Sequence, residues 1–379
     1  MIRTGLVDFG MHTRFSPDLL MRNSRTLAAL IGAESLWTPD HLINVIPQSI
    51  FVPRYVGVSR IAPRAHACYE PWTELGYLAA RNRLSRLLLG VSVTDAGRRH
   101  PAVTAQAAMT LHHLSRGRAI LGIGVGEREN NEPYGVDWSR PVARFVDALA
   151  TVRALWNSGG APVNRESEFF PLRDAVFDLP PYKGTRPPIW VASHGPRMLR
   201  ATGRYADGWY PAFIRDPVEY ERKLELVRAA ASDAGRDPST IVPALNLPIV
   251  VARSEDAVDE ILDGVAAKAM ALALPATDWS AHGVRHPLGD DFAGAQDFLP
   301  QTLDEATVLR HVETVPTSLL RSGAIMGTPE SVVDQVAEWR DRGMRYFVPL
   351  DVSSLQPSLR RGLASTKPLV KAMRAIKRL

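Results

Sequence analysis

Residues 35–44 read Ser-Leu-Trp-Thr-Pro-Asp-His-Leu-Ile-Asn, and this stretch decides how the chain is interpreted. A short apolar run stops at Pro39 and is followed at once by a carboxylate and an imidazole, Asp40 and His41. In a barrel of parallel strands, packing fixes the strand interior while the residues after each strand face a shared opening. The stretch therefore predicts a buried strand that delivers two candidate catalytic side chains to the mouth of a barrel.

The remainder of the chain repeats this arrangement. Short apolar runs alternate with helical patterns, which is typical of βα units around a parallel sheet. Strands are predicted at residues 4–8, 35–39, 87–93, 119–125, 188–192, 208–212, 242–251 and 346–350. Helices are predicted at residues 17–32, 71–81, 101–116, 142–157, 196–205, 217–234, 254–270 and 329–343. This count predicts an α/β fold of the (β/α)8 TIM-barrel class, with residues 1–379 as one domain.

Insertions are expected after strands 2, 4 and 7. They are residues 42–69, residues 159–186 with a predicted hairpin, and residues 271–327. Long loops at a catalytic mouth usually shape substrate pockets or lids. Phe169, Phe170 and Phe177 lie in the second insertion and mildly favour an apolar substrate over a small polar one.

Composition excludes several classes of function. The chain has 45 Lys and Arg against 40 Asp and Glu, a net charge of +5, and 45% hydrophobic residues, which is the balance of a globular enzyme. The basic residues gather only at 367–378, without interleaved aromatic side chains, so nucleic acid is not predicted as a partner. The single cysteine, Cys68, excludes an intrachain disulfide and fits a cytoplasmic location. Neither a signal peptide nor a membrane span is predicted.

Residues 121–127, Leu-Gly-Ile-Gly-Val-Gly-Glu, raise the possibility of a dinucleotide-binding loop. The Rossmann fingerprint needs its third glycine one residue later, with a helix beginning at once, and Glu127 stands at that position instead. We interpret the run as a glycine-rich strand end where a flat ring can approach the backbone at Gly126. Glu127 then faces the mouth, or is an ordinary loop carboxylate.

Two further segments suit a planar, phosphorylated cofactor. Residues 90–95 end the third strand with small and β-branched side chains that could support a ring, although taken alone this pattern is more typical of an ordinary buried strand. Residues 192–197, Ala-Ser-His-Gly-Pro-Arg, form a polar turn before a helix. The free N–H groups at a helix start and the positive end of its dipole suit a phosphate, whereas the alternative is a plain loop with Ser193 as the helix cap.

The histidines do not predict a metal site. His282 and His286 are four residues apart, and His112 and His113 are adjacent, but neither pair has a third ligand nearby in the sequence. A zinc site needs three or four convergent ligands. Spacing alone also leaves Asp40 and His41 open to a structural role at the strand end.

The four strand ends taken together resemble the luciferase-like hydride transferases that use coenzyme F420, a (β/α)8-barrel family, over essentially the whole chain. The motifs that carry the resemblance are Trp-Thr-Pro-Asp-His at 37–41, Gly-Val-Ser-Val-Thr at 90–94, Gly-Ile-Gly-Val-Gly-Glu at 122–127 and Ala-Ser-His-Gly-Pro at 192–196. The chain departs from the family at His194, where glycine or serine is more usual before Gly-Pro.

The resemblance implies roles for particular residues. It implies that Asp40 and His41 lie beside the deazaflavin ring, with His41 as proton donor, Asp40 as the carboxylate that orients it and Glu127 as a reserve acid. It implies that Ser92 and Val93 support the ring through a bulge, often with a cis peptide bond. The remaining implied cofactor-binding residues are Thr94, Gly126, Asn130, Ser193, Gly195 and Pro196.

The resemblance also implies an activity: hydride transfer from reduced F420 to the ketone of a long, wax-like lipid. An FMN-dependent monooxygenase, an F420-dependent dehydrogenase of a small alcohol or sugar phosphate, and a non-catalytic flavin- or lipid-binding barrel remain alternatives. The expected partners are a long-chain keto lipid and a second copy of the chain in a homodimer. A peripheral membrane contact is left open.

Overall fold

Eight parallel strands form a closed barrel in the computed structural model, which describes residues 1–82 and 86–379. The barrel strands are β1 (Arg3–Val7), β2 (Ser35–Thr38), β3 (Leu88–Val91), β5 (Ala119–Gly124), β8 (Ile189–Val191), β9 (Gly208–Trp209), β10 (Val242–Leu245) and β13 (Tyr346–Phe347). Each pairs in parallel with its neighbours, and pairing of β1 with β13 and of β3 with β5 completes the ring. The predicted TIM-barrel class is confirmed.

β4 (Thr94–Asp95) continues β3 within the ring, because it also pairs in parallel with β5. The other strands lie outside the ring: β6 (Val163–Arg165), β7 (Leu172–Ala175), β11 (Pro248–Val251), β12 (Ile325–Gly327) and β14 (Leu350–Asp351). The seventh predicted strand, 242–251, is wrong as a single element. It leaves the barrel after β10 and continues as β11 in a separate parallel sheet with β12 and β14.

Helices follow the barrel strands as predicted. They are α1 (Pro17–Ile31), α2 (Pro71–Arg81), α3 (Pro101–Leu114), α4 (Pro141–Asn157), α5 (Pro196–Tyr205), α6 (Pro217–Asp233), α7 (Glu255–Leu262), α8 (Val265–Met270), α9 (Ala276–Ala281), α10 (Glu305–Val312), α11 (Thr317–Arg321), α12 (Pro329–Asp341), α13 (Leu359–Ala364) and α14 (Thr366–Ile376). The predicted helix 254–270 is two helices, because the chain turns extended at Gly264, the N-cap of α8.

Large aromatic side chains fill the barrel interior. The Trp37 ring lies 4.9 Å from that of Tyr210 and 5.2 Å from that of Trp190, and Trp190 packs edge-on to Tyr346. A Cβ at Gly122 would lie 1.9 Å from the Val91 carbonyl oxygen and 3.3 Å from the Trp37 ring. A flat ring therefore does approach the glycine-rich strand at Gly122, but that ring is the protein's own Trp37.

The insertions pack in two different places. Ile50 and Phe51 of the first insertion share a buried apolar cluster with Trp279 and Phe298 of the third. The predicted hairpin of the second insertion is confirmed as the antiparallel pair β6–β7. Its phenylalanines, however, pack in another cluster, against Phe145 and other residues of the outer helices. Their contacts stabilise the hairpin on the barrel wall, so they do not support the inference of an apolar substrate pocket.

Candidate active site

His41 and Glu127 meet at the mouth of the barrel. His41 follows β2 and Glu127 follows β5, and the two strand ends are brought together because β2, β3 and β5 are neighbours in the ring. His41 Nε2 lies 3.9 Å from Glu127 Oε1. The two side chains are 19% and 28% exposed, so both are half-buried yet accessible to a ligand. At 3.9 Å the imidazole and the carboxyl group are beyond direct hydrogen-bonding distance, but they are close enough for both to be candidate proton donors to one bound substrate.

Asp40 has different partners from those expected. Its carboxylate accepts hydrogen bonds from Thr94 Oγ1 at 2.6 Å, Arg98 Nη2 at 2.9 Å, and Arg99 Nε and Nη2 at 2.6 and 3.0 Å. Burial tends to raise the pKa of Asp40, but the hydrogen bonds and charges of Arg99 and Arg98 hold it below its ordinary value. None of these hydrogen bonds involves the His41 ring, so they give no support to the expected role of Asp40 in orienting that ring.

The Asp40 contacts instead fix the loop that carries His41. Arg98 also donates to the Asp40 carbonyl oxygen at 2.8 Å, and Arg99 bridges to Glu70, the N-cap of α2, at 2.7 Å. The carboxylate therefore joins the end of β2 to the loop after β4 and to the start of α2. We call Asp40, Thr94, Arg98 and Arg99 the arginine clamp.

Ser92 and Val93 form the expected irregularity after β3. The peptide bond between them is cis. On β5, Gly90 pairs with Ile120 and Thr94 pairs with Ile123. The first strand therefore advances four residues where β5 advances three, and one extra residue bulges from the sheet. Ser92 Oγ lies 3.0 Å from the hydroxyl of Tyr210, which in turn accepts from Asn246 Nδ2 at 3.1 Å. The bulge is thus supported by the aromatic interior of the barrel.

Two buried carboxyl groups that lie near Glu127, those of Asp95 and Glu129, were not identified from the sequence. Burial raises the pKa of Glu127, His41 opposes this, and Asp95 adds to it. Glu129 is fully buried, and burial, followed by the charges of Glu127 and Asp95, raises its pKa to about 9. Glu129 Oε2 has no hydrogen-bond partner within the described residues. Glu129 is therefore a neutral acid at pH 7 in the loop next to Glu127.

Gly126 and Asn130 shape this loop. Gly126 has a φ of +86°, and a Cβ there would lie 2.3 Å from an oxygen of Asp95. Asn130 is buried, and its Oδ1 accepts hydrogen bonds from the backbone N–H groups of Leu42 at 2.7 Å and Ile43 at 3.0 Å. Asn130 therefore holds the residues after His41 beside the Glu127 loop, and its contacts in this structure are those of a positioning residue.

The start of α5 fits a phosphate. Gly195 is the N-cap and provides no side-chain hydrogen bond, the first turn contains no acidic residue, and the space that a Cβ at Gly195 would occupy is open. Helix N–H groups and the helix dipole thus remain available to an anion. Ser193 does not cap the helix, because its buried hydroxyl lies 2.8 Å from Thr202 Oγ1. Together with the bulge at residues 92–93, these features fit a flavin-type cofactor.

The histidine pairs have structural contacts. His282 Nδ1 lies 3.0 Å from Ser318 Oγ, and the buried His286 ring stacks on Phe292 at 4.4 Å. Among residues 1–82 and 86–379, no three His, Cys, Asp or Glu side chains are arranged to hold a metal ion. Over the same residues, no helix has both the length and the apolar character required to cross a membrane.

Comparison with known proteins identifies the family to which this chain belongs. The model of the luciferase-like monooxygenase family matches residues 22–346, and the chain belongs to this family. The phthiodiolone/phenolphthiodiolone dimycocerosates ketoreductase of Mycobacterium bovis (strain BCG / Pasteur 1173P2) is 55% identical over 379 residues, covering 100% of this chain and 99% of that protein. The protein of the same name from Mycobacterium kansasii is 56% identical over 368 residues, covering 97% of this chain and 100% of that one.

A solved structure shares the complete fold. An F420-dependent secondary alcohol dehydrogenase in complex with an F420-acetone adduct superimposes with a TM-score of 0.74 at 18% identity, covering 99% of each chain. At this identity the likeness establishes the barrel and its connections. Together with the full-length relatives, it makes the chain an oxidoreductase of the luciferase-like class.

Proposed function

We propose that this protein is an F420-dependent ketoreductase that reduces the keto group of phthiodiolone- or phenolphthiodiolone-dimycocerosate-type lipids to an alcohol. The observation that carries the proposal is the 3.9 Å separation of His41 and Glu127 at the barrel mouth. The 55% identity to a relative with this activity in its name supports the substrate class. The F420-acetone adduct in the alcohol dehydrogenase of the same fold supports the cofactor.

Proton delivery is the chemical task of the His41–Glu127 pair. Reduced F420, when bound, supplies the hydride. As a ketone is reduced, its oxygen gains negative charge and needs a proton to become a hydroxyl group. Because burial raises the pKa of Glu127, this carboxyl group keeps a proton to higher pH than an exposed glutamate does. It can donate that proton itself or return one to His41.

The other residues bind or position in this proposal. Ser92, Val93, Thr94 and Gly126 are proposed to form the side of the mouth that supports the ring, and the backbone of Ser193, Gly195 and Pro196 is proposed to hold the phosphate. Asp40 acts through the arginine clamp, because fixing the Asp40 backbone fixes the neighbouring His41. Asn130 fixes the same loop from the opposite side. Orientation of this kind is a major part of what a protein adds to cofactor chemistry.

Replacing His41 tests the proposal. We expect His41→Ala to lower turnover of a keto lipid by on the order of 10²–10⁴, the usual contribution of a general acid or base, with F420 affinity nearly unchanged. Turnover is read from loss of reduced-F420 absorbance, and affinity from a fluorescence titration. His113→Ala is the matched control, because His113 lies on α3 and bonds the Pro180 carbonyl oxygen. Wild-type turnover in His41→Ala would remove His41 from the mechanism.

Glu127→Gln separates the two possible donors. If Glu127 is the donor, this variant loses turnover as strongly as His41→Ala does. If His41 is the donor, Glu127→Gln retains most of its turnover. The pH profile of turnover then shifts, because the carboxyl group beside the imidazole is replaced by an amide that does not titrate.

Titration of the purified protein with F420 and with FMN tests the cofactor. The uncapped start of α5 suits the phosphate of either molecule, so geometry alone does not select one. We expect binding of F420. Tight binding of FMN without binding of F420 would favour a monooxygenase and overturn the ketoreductase proposal. Binding of F420 without oxidation of its reduced form by any ketone would favour a non-catalytic barrel.

The assembly and location of the protein are further proposals. We propose a homodimer in the cytoplasm that meets its lipid substrate at a membrane surface. Light scattering of the purified protein measures whether it is a dimer, and flotation with lipid vesicles measures whether it binds a membrane surface. A monomer, or protein that stays behind when the vesicles float, would contradict the corresponding proposal.

A further inference from the structure

A cleft of about 600 Å³ lies between Arg128 and residues 288–303 of the third insertion. Its volume is within the range of small-molecule sites. Arg128 directly follows Glu127 in the chain, so the loop that carries Glu127 also forms one wall of the cleft. We call it the Arg128 cleft. None of its lining residues was assigned a role in binding the cofactor or in moving a proton.

Much of the cleft wall is apolar. The apolar lining residues are Leu288, Phe292, Phe298, Leu299 and Leu303. Phe298 is 1% exposed and belongs to the apolar cluster that also contains Ile46 and Ile50 of the first insertion. The Leu303 carbonyl oxygen accepts a hydrogen bond from Ser49 at 2.8 Å. The wall is thus tied to the first insertion, the segment that starts immediately after His41.

Three carboxylates, Asp290, Asp291 and Asp297, line the cleft together with one cation, Arg128. Arg285 forms a bidentate ion pair with Asp290, so Asp291 and Asp297 provide the excess negative charge. The charge of Arg128 is further offset by Glu132, whose Oε2 lies 2.5 Å from Arg128 Nε. An excess of carboxylates repels fatty acids, acyl phosphates and the phosphate-bearing tail of a cofactor, whereas it has little effect on an uncharged lipid. The charge pattern therefore selects against anionic lipids.

We propose that the Arg128 cleft binds a hydrocarbon chain of an uncharged lipid substrate and so guides its keto group toward the His41–Glu127 pair. This inference rests on the proposed ketoreductase function and extends it to a chain-binding site. The occupant is a neutral lipid, because the wall buries apolar surface while the carboxylates exclude a negatively charged head group.

Fluorescence titration with a pyrene-labelled fatty acid and with its methyl ester tests the charge selection. The two probes share a chain, and at pH 8 the head group is an anionic carboxylate in the acid and an uncharged methyl ester in the other probe. We expect the full-length protein to bind the ester about tenfold or more tightly than the acid, which is a moderate electrostatic discrimination. Asp291→Lys should narrow this ratio, since Asp291 is exposed and its replacement reverses one charge. Equal affinity for both probes in the wild-type protein, or no ester binding, would overturn the inference.

A matched pair of tryptophan variants tests the location. Thr302 lines the cleft, whereas its exposed neighbour Gln301 does not. We expect Thr302→Trp to weaken ester binding by about tenfold through steric filling of the cleft, and Gln301→Trp to leave it within about twofold. Unchanged ester affinity in Thr302→Trp would place the chain elsewhere.

Assays with reduced F420 distinguish failure of this inference from failure of the proposed function. If the inference holds, Thr302→Trp raises KM for a long-chain ketone and leaves turnover of a short-chain ketone unchanged. An equal effect on both ketones, or none on the long one, overturns the chain-binding role while the ketoreductase proposal stands. Ester binding that responds to Thr302→Trp in a protein that reduces no ketone would refute the proposed function but support a neutral-lipid site.

Discussion

At the scale of single residues, Glu129 gives the clearest pH dependence. Its pKa is raised from 4.5 to about 9, chiefly by burial. The unfolded chain loses this proton near pH 4.5, while the folded protein keeps it, so stability falls as pH rises through the window from about 4.5 to 9. Glu129→Gln removes this linkage. We expect its stability relative to wild type to increase by up to about 1.4 kcal/mol per pH unit between pH 6 and 8.

Urea unfolding of wild type and Glu129→Gln at pH 6, 7 and 8 measures this difference. Glu132→Gln is the control, because Glu132 is exposed and pairs with Arg128 at the surface. Parallel stability curves for wild type and Glu129→Gln would show that Glu129 is ionised in the folded protein. The sequence could not reveal this residue, because its behaviour depends on complete burial next to Glu127 and Asp95, and its own neighbours in the chain, Arg128 and Asn130, are polar.

At the scale of elements, the arginine clamp joins the end of β2 to the loop before α3. Arg99→Ala removes two hydrogen bonds to the Asp40 carboxylate and one to Glu70, and it leaves those from Arg98 and Thr94 to Asp40. We expect a loss of about 1.5–3 kcal/mol, the range for hydrogen bonds to a charged group. Because the clamp lowers the pKa of Asp40, its contribution is present above pH 3.8 and is lost as pH falls through the folded value.

Chemical denaturation at pH 7 and at pH 3 checks both parts of the Arg99 prediction. The deficit of Arg99→Ala should be largest at pH 7 and smaller at pH 3. Arg222→Ala on the exposed side of α6 should stay within about 0.5 kcal/mol of wild type. A deficit that does not change with pH would mean that Arg99 stabilises the loop through packing and not through Asp40.

Strands and helices could be predicted where neighbouring residues in the sequence determine them. An apolar run that ends in polar residues identified each barrel strand, and Asp40 and His41 were found in this way. The break between β10 and β11 was not predicted, because residues 242–251 are apolar except for Asn246 and were interpreted as one strand. There, Asn246 donates to the Tyr210 hydroxyl at 3.1 Å and to the Val348 carbonyl oxygen at 2.9 Å. The arginines of the clamp likewise meet Asp40 only because β3, which leads toward their loop, pairs with β2 in the sheet.

At the scale of the whole molecule, the active-site mouth rests on the aromatic barrel interior. Trp37 lies at the centre of this layer, directly before the residues that lead to Asp40 and His41. Gly90 and Gly122 make room for it, since a Cβ at Gly90 would lie 2.3 Å from the Trp37 ring. The same glycines that suggested a cofactor platform therefore serve barrel packing, and the cofactor is expected one layer above them, beside the bulge at residues 92–93.

This packing makes Gly122 intolerant of a single methyl group. In Gly122→Ala the new Cβ meets the Val91 carbonyl oxygen at 1.9 Å, and a backbone atom in the closed barrel cannot move aside easily. We expect a loss of about 3 kcal/mol or more by urea unfolding. Gly76→Ala is the control: Gly76 lies within α2 with nothing within 4 Å of its Cβ position, so it should gain about 0.5–1 kcal/mol. If Gly122→Ala unfolded like wild type, the barrel interior would have to be more adaptable than its aromatic packing implies.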